Sequence, residues 1–189
     1  MIETEQFEQV EVASAAELRA WLEANHGQDA SVWLVTYLAA VPEKYVSRDA
    51  VLDELVAYGW IDGIRRKVDA ERTMQMISPR KAEYWAQSYK DRAAQLEAKG
   101  RMAAPGRASV ERGKASGLWD FMADVDALIV PDDFATALED AGADFEGFAP
   151  SYRRNVLRWI KLAKTAPTRA KRIAKAAETA ARGEKMANF

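Results

Sequence analysis

Residues 58–67, Tyr-Gly-Trp-Ile-Asp-Gly-Ile-Arg-Arg-Lys, gather an indole, a carboxylate and three cations just after an apolar helical stretch. Guanidinium groups beside an indole can hold a planar or anionic group by paired hydrogen bonds and stacking. Trp60, Asp62, Gly63, Arg65 and Arg66 are therefore candidate ligand-binding residues, and Arg80 and Trp85 join them from just downstream. The ligand such a set would take is a small anion. The plainer assignment is structural: Trp60 fills a core, Gly63 relieves a bulge, and Asp62 pairs with a neighbouring arginine. A two-residue strand period puts Ile61, Gly63, Arg65 and Lys67 on one face and Asp62, Ile64, Arg66 and Val68 on the other. Only one of Arg65 and Arg66 can then look into a given cleft.

Other chemistry is poorly supplied. There is a single histidine, His26, and no cysteine. His26 sits beside Gly27 and reads as an exposed helix-end residue, so a Ser-His-Asp triad has no support. Ser78-Pro79-Arg80-Lys81 has the S-x-x-K spacing without its companion motifs. It reads instead as a helix N-cap followed by proline at the first helical position. Residues 106–115 faintly suggest a phosphate loop, but the spacing is too long and Ala115 stands where a hydroxyl would hold magnesium. No catalytic residue, metal ligand or cofactor is assigned, and the expectation leans away from an enzyme.

Charge is distributed in blocks. Residues 1–64 hold 3 cations and 12 anions, and residues 65–117 hold 13 and 6. Residues 118–146 hold 9 anions and no cation, and residues 147–189 hold 11 cations and 2 anions. Such blocks either face one another within the fold or leave one-signed surfaces for a partner. The second case allows a cationic peptide on the acidic segments 1–64 and 118–146. It also allows a nucleic acid on Arg154, Arg158, Lys161, Lys171 and Lys175, although no recognition motif accompanies them.

Hydrophobic periodicity supplies the elements. Residues 7–12 read as a short strand. Ser14 and Glu17 form a capping box opening a helix that carries Leu18, Trp21 and Leu22 inward. Residues 31–38 are β-branched and aromatic without polar alternation, which predicts a central strand covered on both faces. Ser47 caps the next helix, and residues 60–68 and 72–78 read as an antiparallel pair. From Pro79 the pattern is helical to Gly100, with Trp85, Tyr89, Arg92 and Leu96 on one stripe. Further helices follow, the last burying Ala170, Ile173, Ala177 and Ala181, before a loose tail at 185–189. The fold class is α+β: a small N-terminal sheet of about four strands with helices, then a C-terminal helical part. The units are 1–80 and 81–189, or one continuous domain. No export signal and no run of about 18 apolar residues is present, so the expected location is the cytoplasm, with no membrane span.

Three stretches together resemble a known family: Tyr-Gly-Trp-Ile-Asp-Gly at 58–63, SPRKAEYWAQSYKDRAAQLEAKGRMAAPG at 78–106, and YRRNVLRWIKLAKTAPTRAKRIAKAAE at 152–178. They are similar to the YdeI or OmpD-associated, bacteriocin-protection family. The resemblance implies a non-enzymatic accessory that helps bacteria withstand cationic antimicrobial peptides or bacteriocins, through a peptide or protein partner. It supplies no catalytic residues.

Overall fold

The computed structural model describes residues 7–186. They divide into two compact units, the first ending at Trp119 and the second beginning at Asp120. The boundary near residue 80 drawn from the sequence marks where strand gives way to helix; the first compact unit runs on to Trp119.

The first unit opens with β1 (Gln9–Glu11), α1 (Ala15–Asn25) and β2 (Val32–Tyr37). β1 and β2 are parallel, and α1 supplies the crossover that parallel strands require. The Ser14 hydroxyl accepts the Glu17 amide at 3.1 Å, and the Glu17 carboxylate accepts the Ala13 amide at 2.8 Å. This reciprocal pair satisfies amides that the first helical turn leaves without partners. α2 (Arg48–Ala57) is capped by the Ser47 hydroxyl, which accepts the Ala50 amide at 3.1 Å without a reciprocal bond from Ala50. It ends at Tyr58 and Gly59, whose φ of +72° is the left-handed conformation that glycine adopts without strain.

β3 (Trp60–Lys67) and β4 (Arg72–Pro79) complete a sheet ordered β1-β2-β4-β3. The Asp69 carboxylate accepts the amides of Glu71 and Arg72 and so fixes the turn between them. Val32 to Thr36 are all buried, as the unbroken apolar run predicts for a central strand. Leu18, Leu22, Leu34, Leu55, Trp60 and Ile77 make the centre of the core between sheet and helices.

α3 (Gln87–Ala98) starts later than its periodicity suggests. Ser78 and Pro79 are not a helix cap: they pair with Ile61 and Trp60 as the end of β4. The Arg80 amide then donates to the Gly59 carbonyl at 2.9 Å, and residues 80–86 continue without helix. Tertiary pairing with β3 overrides the local helical pattern.

α4 (Ala104–Ala115) packs through its small residues. A Cβ on Gly106 would meet the Ala57 carbonyl oxygen at 2.2 Å, and one on Gly113 would meet Trp85 Nε1 at 2.8 Å. Of the glycines in residues 106–115, which faintly suggested a phosphate loop, Gly106 is the contact by which α4 lies on the end of α2, and Gly113 lies against Glu83 and Trp85.

The second unit is helical: α5 (Ala123–Asp126), α6 (Asp132–Asp140), α7 (Pro150–Lys161) and α8 (Ala166–Ala181). Phe134, Phe145, Val156, Leu157 and Ile160 fill its interior, with the rings of Phe134 and Phe145 edge to face at 5.1 Å. α8 buries Ile173, Ala176, Ala177 and Ala180, while Ala170 and Ala181 are exposed. The inner stripe is thus rotated from the expected one. The tail is tied down at least to Met186, which is buried and whose amide donates to the Tyr152 hydroxyl at 3.0 Å. The rest of the expected loose tail, 187–189, lies outside the described residues.

Candidate functional site

The β3–β4 ribbon carries most of the candidate residues, and one irregularity decides how they face. Asp62 lies opposite Ile77 and Arg65 opposite Gln75, with a register shift between them. Two residues, Gly63 and Ile64, therefore occupy the stretch opposite Met76. This is a β-bulge. It breaks the simple two-residue period, so Asp62 and Arg65 share a face, where strict alternation would have separated them. Arg66 lies opposite Met74 on the other face, its guanidinium 5.3 Å from the centre of the Trp33 ring. The separation of Arg65 from Arg66 stands; the assignment of Asp62 to the face of Arg66 does not.

On the first face a hydrogen-bonded chain links several elements. The Tyr89 hydroxyl of α3 donates to Asp62. The Gln75 amide donates to the other Asp62 oxygen at 2.8 Å, and Gln75 Oε1 accepts from Arg65 at 2.8 Å. Gln75 and Tyr89 were not among the residues singled out from the sequence. Their only signal was position: a polar residue on the inner side of an apolar strand, and an aromatic on a helical stripe. Burial and the bond to Asp62 both push the Tyr89 hydroxyl pKa upward, so it remains a donor.

Arg80 and Trp85 come together beside this chain. The Arg80 guanidinium stacks 4.1 Å from the centre of the Trp85 ring and 5.0 Å from that of Tyr89. Arg80 is only 7% exposed, and burial holds its pKa below the ordinary arginine value. Among the described residues, Arg80 Nε and Trp85 Nε1 have no hydrogen-bond acceptor. Trp60 is wholly in the core, edge-on to Trp21 at 5.5 Å, with its Nε1 donating to the His26 carbonyl at 3.3 Å. The ribbon thus shows Arg65 and Arg66 to solvent on opposite faces and keeps Trp60, Arg80 and Trp85 below the surface. Asp62 accepts two hydrogen bonds, an arrangement suited to holding side chains in place.

The basic helices are partly engaged. Lys161 bonds Asp124 at 2.5 Å, and Arg154 Nε approaches the Asp126 carbonyl at 3.5 Å. Arg158 is half-buried, and Lys171 and Lys175 are exposed. The charge blocks pair in order. Glu11 meets Arg72, Asp49 and Asp53 meet Arg92, and Glu54 meets Arg101, joining the first block to the second. Asp124 meets Lys161 and Asp133 meets Arg169 through both oxygens, joining the third to the fourth.

Among the described residues no helix is long and apolar enough to cross a membrane, and no group of three His, Asp or Glu side chains is arranged to hold a metal ion. No curated protein and no solved structure matches the chain. Two family descriptions do. Residues 10–109 match a Domain of unknown function (DUF8412), and residues 127–183 match OmdA, described as Bacteriocin-protection, YdeI or OmpD-Associated. The stretch at 152–178 lies inside the second match; those at 58–63 and 78–106 lie inside the first. The first match covers more than half of the chain, which therefore belongs to the DUF8412 family and carries an OmdA region, related to the YdeI or OmpD-associated proteins, in its second half.

Proposed function

We propose that this protein is a non-enzymatic accessory in resistance to cationic antimicrobial peptides or bacteriocins, acting by binding such a peptide in the cytoplasm. The observation that carries the reading is a shallow groove between α6 and α8, inside the segment that matches the bacteriocin-protection family. The groove has a volume of about 500 Å³ and a floor of Ala137, Ala141, Ala174, Ala177 and Ala181. Asp140 and Glu178 stand on its rim. Asp132, Glu139 and Glu146 are exposed nearby in sequence, with no cation at ion-pair distance among the described residues. An amphipathic cationic helix could set its small apolar face on the alanines and its cations on the acidic rim. The Glu178–Arg182 pair on the rim is exposed, so rearranging it costs little.

The test is titration of the full chain with a cationic amphipathic helical peptide at about 20 mM and 300 mM salt, with oligolysine as control. The expected result is saturable binding that weakens steeply with salt, exceeds that of oligolysine, and drops at least about tenfold in the triple variant Glu139→Gln, Asp140→Asn, Glu178→Gln. Absence of binding at low salt ends the proposal.

A further inference from the structure

The first unit contains a second groove that the peptide reading does not use. It lies between α3 and α4, closed on one side by Trp119, with a volume of about 380 Å³. That is within the range of small-molecule clefts. Its floor is apolar, formed by Ala93, Ala94, Met102 and Val110. Ala93 and Met102 belong to the main core, so the floor is set by packing already described.

The polar groups are arranged around the indole. Lys90 Nζ lies 5.1 Å and Lys114 Nζ 5.8 Å from the centre of the Trp119 ring. The ring's negative faces attract both ammonium groups, while like charge sharing one ring is mutually unfavourable. Both lysines line the groove, so an anion there is attracted by their charge and a cation is repelled. The two carboxylates of the lining already have partners. Glu97 accepts Arg107 Nε at 3.0 and 2.9 Å, and Glu111 accepts Lys114 at 2.9 Å. The Glu111–Lys114 pair is more than half exposed and cheap to rearrange, so Lys114 can turn to a ligand anion. Behind Trp119, at 5.4 Å between ring centres, lies the fully buried Trp85, which fixes the wall.

We propose that this groove binds a small amphipathic monocarboxylate, with its apolar body on Ala93, Met102 and Val110 and its carboxylate at Lys90 and Lys114. The site is independent of the peptide surface and survives the failure of that reading.

Three probes of equal chain length separate the alternatives: octanoate, octanol and octylammonium, titrated calorimetrically into the full chain below their aggregation limits. Octanoate binds saturably, octanol at least about tenfold more weakly, and octylammonium not at all. Ala94 is exposed on α3, so Ala94→Phe can fill the groove without entering the core, and it abolishes octanoate binding. The double variant Lys90→Gln, Lys114→Gln reduces octanoate to the octanol level and leaves octanol unchanged. Equal affinity for the three head groups overturns the proposal. So does octanoate binding that persists in Ala94→Phe, or no octanoate binding to the parent chain.

Discussion

Asp62 and Arg80 are both charged side chains set among buried groups, and they contribute differently. Asp62 is the acceptor for the Tyr89 hydroxyl and the Gln75 amide, so Asp62→Ala leaves two donors without an acceptor. The expected cost is about 2–3 kcal/mol, read from the urea midpoint. Arg80 stacks on Trp85 and Tyr89, but no ion pair is recorded for it among the described residues. Arg80→Met keeps the stacked bulk and removes a desolvated charge, and is expected to change stability by less than about 1 kcal/mol in either direction. A loss from Arg80→Met as large as that from Asp62→Ala would mean that the guanidinium holds the network together. The sequence showed the residue types of this cluster but not their company. Tyr89 and Gln75 reach Asp62 across 27 and 13 positions, and local pattern carries no information about such partners.

At the level of elements, helix caps and strand runs were the legible part. Ser14 and Ser47 cap where their spacing to the following turn says they must, and β2 is buried along its length as its composition requires. The start of α3 was not legible, because residues 78–79 satisfy both a helix-opening pattern and a strand end. Only pairing with Trp60 and Ile61 decides between them. α4 has a low apolar content, and its role becomes visible only through what it touches. Its approach to α2 leaves no room for a side chain at Gly106. Gly106→Ala would gain helix propensity in isolation, yet the backbone contact at 2.2 Å makes it destabilising, by about 3 kcal/mol or more. Thermal unfolding checks the sign: propensity alone raises Tm, whereas the packing lowers it.

Across the molecule, several carboxylates are held by a cation, some within their own charge block and some in the neighbouring one, and this sets the response to acid. Arg169 holds the Asp133 carboxyl below its ordinary range. At Asp124 burial pushes upward, but hydrogen bonds from Lys161 and the Val125 amide outweigh it and the pKa is again lowered. At Glu11 the Tyr37 and Arg72 hydrogen bonds lower it, and at Asp69 the Glu71 amide and Arg72 do. A carboxylate whose folded pKa is depressed stabilises the fold above its unfolded pKa, and that contribution is lost as pH falls through the folded value. Urea midpoints should therefore be flat from pH 7 to about 4.5 and fall below about pH 4. Arg169→Gln should make the fall shallower. An unchanged acid limb in that variant would show that the pair contributes nothing.

The bulge at Gly63–Ile64 bears on how this chain can change length. In a regular strand, losing one residue turns every later side chain to the opposite face. Here the surplus residue is already present, since two positions stand against Met76 alone. Deleting Gly63 would leave Ile64 against Met76 and Arg65 still against Gln75. The sheet thus holds a site where a codon can be lost without turning the ribbon inside out.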